Sequence, residues 1–69
     1  MKPVNDNGRF IAPKDAATMT SLSRPMLSLL SQRGEFPKPI PLTGGRRIAY
    51  LRTEVEAWID QRIAARAAA

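Results

Sequence analysis

The chain has 69 residues, with eleven Lys and Arg against six Asp and Glu, and it contains neither His nor Cys. A chain this short buries only about 60% of its surface on folding, which leaves little structure for a deep catalytic cleft. Without His or Cys it also lacks an imidazole base, a thiolate nucleophile and the usual zinc ligands. We therefore expect a small binding domain and not an enzyme, with no metal and no cofactor.

The net charge of +5 predicts an anionic partner, either nucleic acid or a membrane surface. Most of the excess lies mid-chain, because residues 21–50 carry five basic residues and one acidic residue, Glu35. No apolar run reaches the ~20 residues of a membrane span, and the N-terminus lacks the apolar segment of a signal peptide. We expect an intracellular, cytoplasmic protein whose anion-binding surface lies within residues 21–50.

The first twenty residues predict an arm followed by a short helix. Residues 1–9 are rich in turn formers and lack an apolar period, which is typical of a flexible N-terminal arm. Pro13 suits the first turn of a helix that we expect to end near Thr20. The expected apolar stripe of this helix consists of Ala16, Ala17 and Met19.

A second helix is expected after a turn of only two residues. The two helices and this short turn together predict a helix-turn-helix. Ser23 is a good N-cap, because its hydroxyl can accept a free backbone N–H, and Gly34 marks the end of the helix. At about 100° per residue, the expected core side holds Met26, Leu27 and Leu30. The opposite side is expected to hold Arg24, Ser28, Ser31 and Gln32, with Leu29 on the border.

The segment after Gly34 predicts a β-hairpin. Alternating prolines in residues 36–42 forbid a helix and favour an extended chain, and residues 47–51 predict the returning strand. Matching the apolar faces favours a three-residue loop, residues 44–46, with Leu42 opposite Ile48 and Ile40 opposite Tyr50. This register places Arg46 at the tip of the hairpin and Arg47 beside it.

The last segment predicts a third helix. Thr53 and Glu56 have the spacing of a capping box, with Thr53 as the N-cap. The expected core stripe is Val55, Trp58, Ile59 and Ile63, which makes Trp58 a core residue and not a stacking platform for bases. We expect one domain over residues 10–66, with residues 67–69 forming a frayed C-terminal end.

The order of these motifs resembles that of the AlpA-type regulators, small MerR-like winged-helix DNA binders related to phage excisionases. The resemblance covers residues 10–66. It is carried by Leu-Ser-Arg-Pro-Met-Leu at residues 22–27, Gly34, Phe36-Pro37, the glycine-tipped basic hairpin, and Glu-Val-Glu-Ala-Trp-Ile at residues 54–59. The chain departs from the family at Ser21, where Gly is usual, and at Leu29, where a basic residue is frequent.

The resemblance implies an α+β fold, a small winged helix-turn-helix with three helices and a two-stranded β-hairpin wing between helices 2 and 3. It also implies binding to double-stranded DNA, with helix 2 in the major groove and the wing on the minor groove or the backbone. The DNA-binding residues it implies are Ser23, Arg24, Ser28, Gln32, Arg46 and Arg47.

The function expected from this resemblance is that of a sequence-specific, nucleoid-associated transcriptional regulator and/or excisionase of a prophage or integrative element. An integrase and further copies of the chain along the DNA are expected as partners in that activity. The alternative is a small protein-binding module that inhibits or recruits a partner such as an integrase or a response regulator. A membrane-surface role is disfavoured, because the basic residues do not form one face of a long amphipathic helix.

Overall fold

The computed structural model describes residues 8–68, with side chains for residues 8–66. The elements in chain order are β1 (Phe10–Ile11), α1 (Pro13–Thr20), α2 (Arg24–Gln32), β2 (Ile40–Pro41), β3 (Ile48–Leu51) and α3 (Arg52–Ala68). The expected α+β architecture, with three helices and a hairpin between the second and third, is confirmed. Of the flexible arm predicted for residues 1–9, residues 1–7 lie outside the described residues.

Local signals set the bounds of the first two helices. α1 begins at Pro13 and ends at Thr20, as predicted. Ser21 then takes the left-handed conformation, with φ of 63°, which reverses the chain and costs a non-glycine residue about 1–2 kcal/mol. Ser23 caps α2 as predicted, because its Oγ accepts the backbone N–H of Met26 at 3.2 Å.

The sheet contains a strand that the sequence did not indicate. β1 pairs antiparallel with β3, so the three strands lie in the order β1-β3-β2. β3 is therefore the central strand, and its consecutive residues Ala49 and Tyr50 are both buried. Both faces of β3 are covered, and alternation of apolar residues does not apply to it.

For that reason the predicted hairpin register is wrong by one residue. Ile40 lies opposite Ala49 and Pro41 opposite Ile48. The N–H of Leu42 donates to the carbonyl of Arg47 at 2.8 Å, which leaves residues 43–46 as the loop in place of the expected three. Arg46 stays in the loop, and Arg47 stands at its base.

The core lies between the helices and the sheet. Its buried residues are Ile11, Ala16, Leu27, Phe36, Tyr50 and Val55. The rings of Tyr50 and Trp58 both meet Phe36 edge to face, with centroids 5.4 and 5.0 Å away. Trp58 is half-buried against this core, as predicted, and its Nε1 donates to the carbonyl of Glu35 at 2.8 Å.

The buried face of α2 is rotated from the predicted one. Met26, expected in the core, is exposed, whereas Ser31, expected on the polar side, is buried. The Oγ of Ser31 donates to the carbonyl of Pro37 at 2.9 Å, so the hydroxyl is satisfied inside the protein. The covered stripe of α2 is thus Leu27, Leu30 and Ser31.

Two other residues predicted for the core are exposed. On α1 the covered stripe is Ala16, Ala17 and Thr20, and Met19 lies beside it. On α3 the last residue packed on the core is Ile59, and Ile63 lies one turn beyond it. A core this small is too short to cover the whole of a 17-residue helix.

The start of α3 also differs from the prediction. The helix begins at Arg52, directly after β3, so Thr53 stands within the helix and is not its N-cap. The backbone N–H of Arg52 donates to the carbonyl of Arg9 at 2.7 Å. Across residues 8–68, no helix has the length and apolarity needed to cross a membrane.

Candidate nucleic-acid interface

A concave surface forms where the first turns of α1 and α2 meet the β2–β3 hairpin. Its lining residues are Ala12, Pro13, Lys14, Arg24, Arg46, Arg47 and Ile48. Four of these seven are cations and none is acidic. We call the set of Lys14, Arg24, Arg46 and Arg47 the cationic concavity.

The four cations reach this surface from three local structures, which are α1, α2 and the β2–β3 hairpin. Pro13 starts α1 and so places Lys14 in its first turn, while the Ser23 cap makes Arg24 the first residue of α2. α1 packs against both α2 and β3, which brings the two helix starts beside the hairpin. The concavity is therefore a product of the packing of three elements.

The electrostatics of the concavity favour an anion. Within residues 8–68, no carboxylate lies at ion-pair distance from any of its four cations. Two helix N-termini border the surface, and their partial positive charges oppose Lys14 and Arg24 in the folded protein. A bound anion would relieve both the repulsion among the side chains and the conflict with the helix dipoles.

The exposed face of α2 extends away from the concavity. Ser28 and Gln32 follow Arg24 at spacings of four and eight residues. They therefore lie about one and two turns further along α2, on the same side of the helix as Arg24 or close to it. Both are exposed. They do not line the concavity, and they would meet a ligand only if it ran along α2.

The six residues predicted for the site are all exposed and form three sets: the arginines of the concavity, Ser28 and Gln32 further along α2, and the cap residue Ser23. The structure brings Arg24, Arg46 and Arg47 together. Ser23 is occupied as the helix cap, although its hydroxyl proton stays free to donate. Arg33, which the charge count of residues 21–50 included, instead pairs with Glu35 at 3.2 Å.

Sequence reasoning missed Lys14. The signal was present, because Lys14, like Arg24, is a basic residue in the first turn of a helix, where it opposes the dipole. What could not be read was its distance from the hairpin, which depends on how α1 packs against β3. The cationic concavity thus includes a residue earlier in the chain than residues 21–50, where the sequence placed the expected anion-binding surface.

The fold and the site define a small winged helix-turn-helix domain with a cationic face. Residues 9–63, well over half of the chain, match the model of the family described as prophage CP4-57 regulatory protein (AlpA). The chain belongs to the AlpA family of prophage regulatory proteins. This is a family of regulators and not of enzymes.

A relative from a phage supports the same assignment. The chain is 40% identical over 58 residues to the uncharacterized protein ORF88 of Enterobacteria phage P4. The match covers 84% of this chain and 65% of the phage protein, slightly under two thirds of the length of that relative.

Proposed function

We propose that the chain is a sequence-specific DNA-binding protein that regulates genes of a prophage or integrative element from the bacterial cytoplasm, on the nucleoid. The observation that carries this proposal is the convergence on one surface of two helix N-termini and four cations, which have no carboxylate partner among the described residues. Membership of a family of prophage regulators supports the same function.

In the proposed complex, α2 enters the major groove with its exposed face toward the bases. Arg24 and Lys14 contact backbone phosphates beside the groove, where helix N-termini also favour anions. Ser28 and Gln32 reach base edges, and Ser23 adds a phosphate contact through its hydroxyl. Arg46 and Arg47 follow the hairpin onto the adjacent minor groove or backbone.

The footprint of one such domain is small. Four phosphate contacts correspond to a salt slope of about −3.6, because each contributes about −0.9 to the dependence of log K on log salt concentration. We propose that neighbouring copies along the DNA, or an integrase bound beside them, supply the remaining affinity. Exposed Ile63, Ala64 and Ala65 on α3 are available for such contacts.

Titration of the DNA by fluorescence anisotropy across a range of salt concentrations tests the proposal. The DNA would come from the promoter and attachment site of the element that encodes the chain. The double variant R46A/R47A should bind more weakly at low salt, and its salt slope should be smaller by about 1.8. The matched control K38A/R66A removes two exposed charges outside the concavity and should change the slope little.

Equal slopes for the two double variants would refute the role of the hairpin. If the chain instead retains a protein partner through nuclease treatment and high salt and shows no affinity for DNA, the alternative of a protein-binding module replaces the proposal. An excisionase role requires more than binding, because architectural proteins act by deforming the duplex. Permuted-site gel shifts that reveal a bend would support excision, and a straight complex would favour transcriptional regulation alone.

A further inference from the structure

The outward face of α2 has an apolar residue at its centre. The covered stripe is Leu27, Leu30 and Ser31, and at about 100° per residue the opposite direction falls between Pro25 and Leu29. Leu29 is 45% exposed. The structure thus moves Leu29 from the border, where the sequence predicted it, to the middle of the surface that would face a ligand of α2.

The neighbours of Leu29 suggest which ligand covers it. The nearest positions on the helix surface are Pro25 and Met26 on one side and Gln32 on the other, and all three are exposed. The cationic concavity begins at Arg24, on the first turn of the same helix. A polyanion that runs from the concavity along the outward face of α2 therefore meets an apolar side chain at Leu29, beside the amide of Gln32.

Resting on the proposed function, we infer that Leu29 contacts the C5-methyl group of a thymine in the major groove. That methyl is the one apolar group that the standard base pairs present there. Gln32, three residues further and on the adjoining position, can form paired hydrogen bonds with N6 and N7 of an adenine. Together the two side chains select an A·T pair, or two neighbouring pairs, at the centre of the contact made by α2.

Replacing thymine with deoxyuridine tests the inference, because it removes the methyl group and leaves every hydrogen-bonding group in place. The bound site is first located by footprinting with the full chain. Each thymine within it is then replaced singly, and one replacement should weaken binding about fourfold, the value expected for one buried methyl group. Leu29→Ala should bind the unmodified DNA more weakly and should no longer distinguish thymine from deoxyuridine at that position.

Met26→Ala is the matched control. Met26 is exposed to a similar extent, 41%, but lies at the side of α2, so this variant should keep the preference for thymine. Circular dichroism would confirm that both variants fold, which is expected because both side chains are largely outside the core.

The outcomes separate this inference from the function on which it rests. If the wild-type chain binds the DNA and also binds every deoxyuridine-substituted site with unchanged affinity, the methyl contact is wrong and the DNA-binding function stands. If Leu29→Ala still discriminates, another residue reads the methyl and the inference is again overturned. If the wild-type chain binds no DNA, the proposed function fails, and the inference fails with it.

Discussion

The cationic concavity and the aromatic cluster of Phe36, Tyr50 and Trp58 are assembled in the same way and differ in how their groups are satisfied. Both unite residues that are distant in the chain. In the cluster each ring packs edge to face on another, the Trp58 Nε1 has a carbonyl partner, and the Arg62 guanidinium lies 5.9 Å from the Trp58 ring centroid. In the concavity, like charges meet without a counter-charge among the described residues.

This difference indicates what each region does. The cluster stabilises the fold, because burial and ring geometry are both favourable there. The concavity opposes folding slightly, since cations border helix N-termini and one another. A chain with so small a core can retain such a surface only at modest cost, and binding of an anion would offset that cost.

The largest expected effect comes from a substitution that breaks the aromatic cluster. Phe36→Ala should lower the free energy of unfolding by about 3–5 kcal/mol, because it removes a buried ring that contacts two others. That loss is comparable to the roughly 3–5 kcal/mol that a single core of this size supplies. A large fraction of the molecules should therefore be unfolded at 25 °C. Urea titration followed by circular dichroism measures it.

Phe10→Ala is the control for that experiment, since Phe10 is an aromatic residue that is 49% exposed. It should change the free energy of unfolding by no more than about 0.5 kcal/mol. Similar losses for the two variants would show that the cluster has no special part in stability.

A smaller effect isolates the polar contact of the cluster. Trp58→Phe keeps an aromatic ring and removes the N–H that donates to the carbonyl of Glu35. We expect a loss of about 1 kcal/mol in the free energy of unfolding, the usual net value of one hydrogen bond. Thermal unfolding in parallel with the wild type gives the number, and unchanged stability would show that water replaces the donor fully.

The smallest effect on stability should have the opposite sign and come from the concavity. Arg24→Gln removes a cation from the N-terminus of α2 and should raise the free energy of unfolding by about 0.3–1 kcal/mol at low salt. The same variant should bind DNA more weakly, with a salt slope smaller by about 0.9. Loss of both stability and affinity would mean that Arg24 supports the fold, and the contrast between the two regions would not hold at this position.

The elements of the fold could be predicted where the determining interactions are local. Pro13 and Ser23 set the starts of α1 and α2 through effects within a few residues, and both starts agree with the structure. The hairpin register could not be predicted, because it depends on β1 pairing with the second edge of β3 and on α1 and α3 packing against that strand. The strand β1 has only two residues, Phe10 and Ile11, which is too few to show the alternation of apolar residues that predicts a strand.

The candidate site shows the same division. The cations at Arg24, Arg46 and Arg47 were accessible to sequence reasoning, since each follows a cap or occupies a turn. The sequence misplaced Leu29 because assigning Met26 to the core rotated the whole exposed face of α2. A buried serine bonded to Pro37 caused that rotation, and its partner lies in another segment.

By itself, then, the sequence determined a small basic chain of three helices and a hairpin, without the side chains of common catalytic or metal sites. Only the tertiary structure decided which cations share a surface, which strand is central and which side of α2 faces outward. The physical reason is one of range. Caps, prolines and charge act over a few residues, whereas the position of Lys14 beside the hairpin and of Leu29 on the open face depends on packing between elements that are remote in the chain.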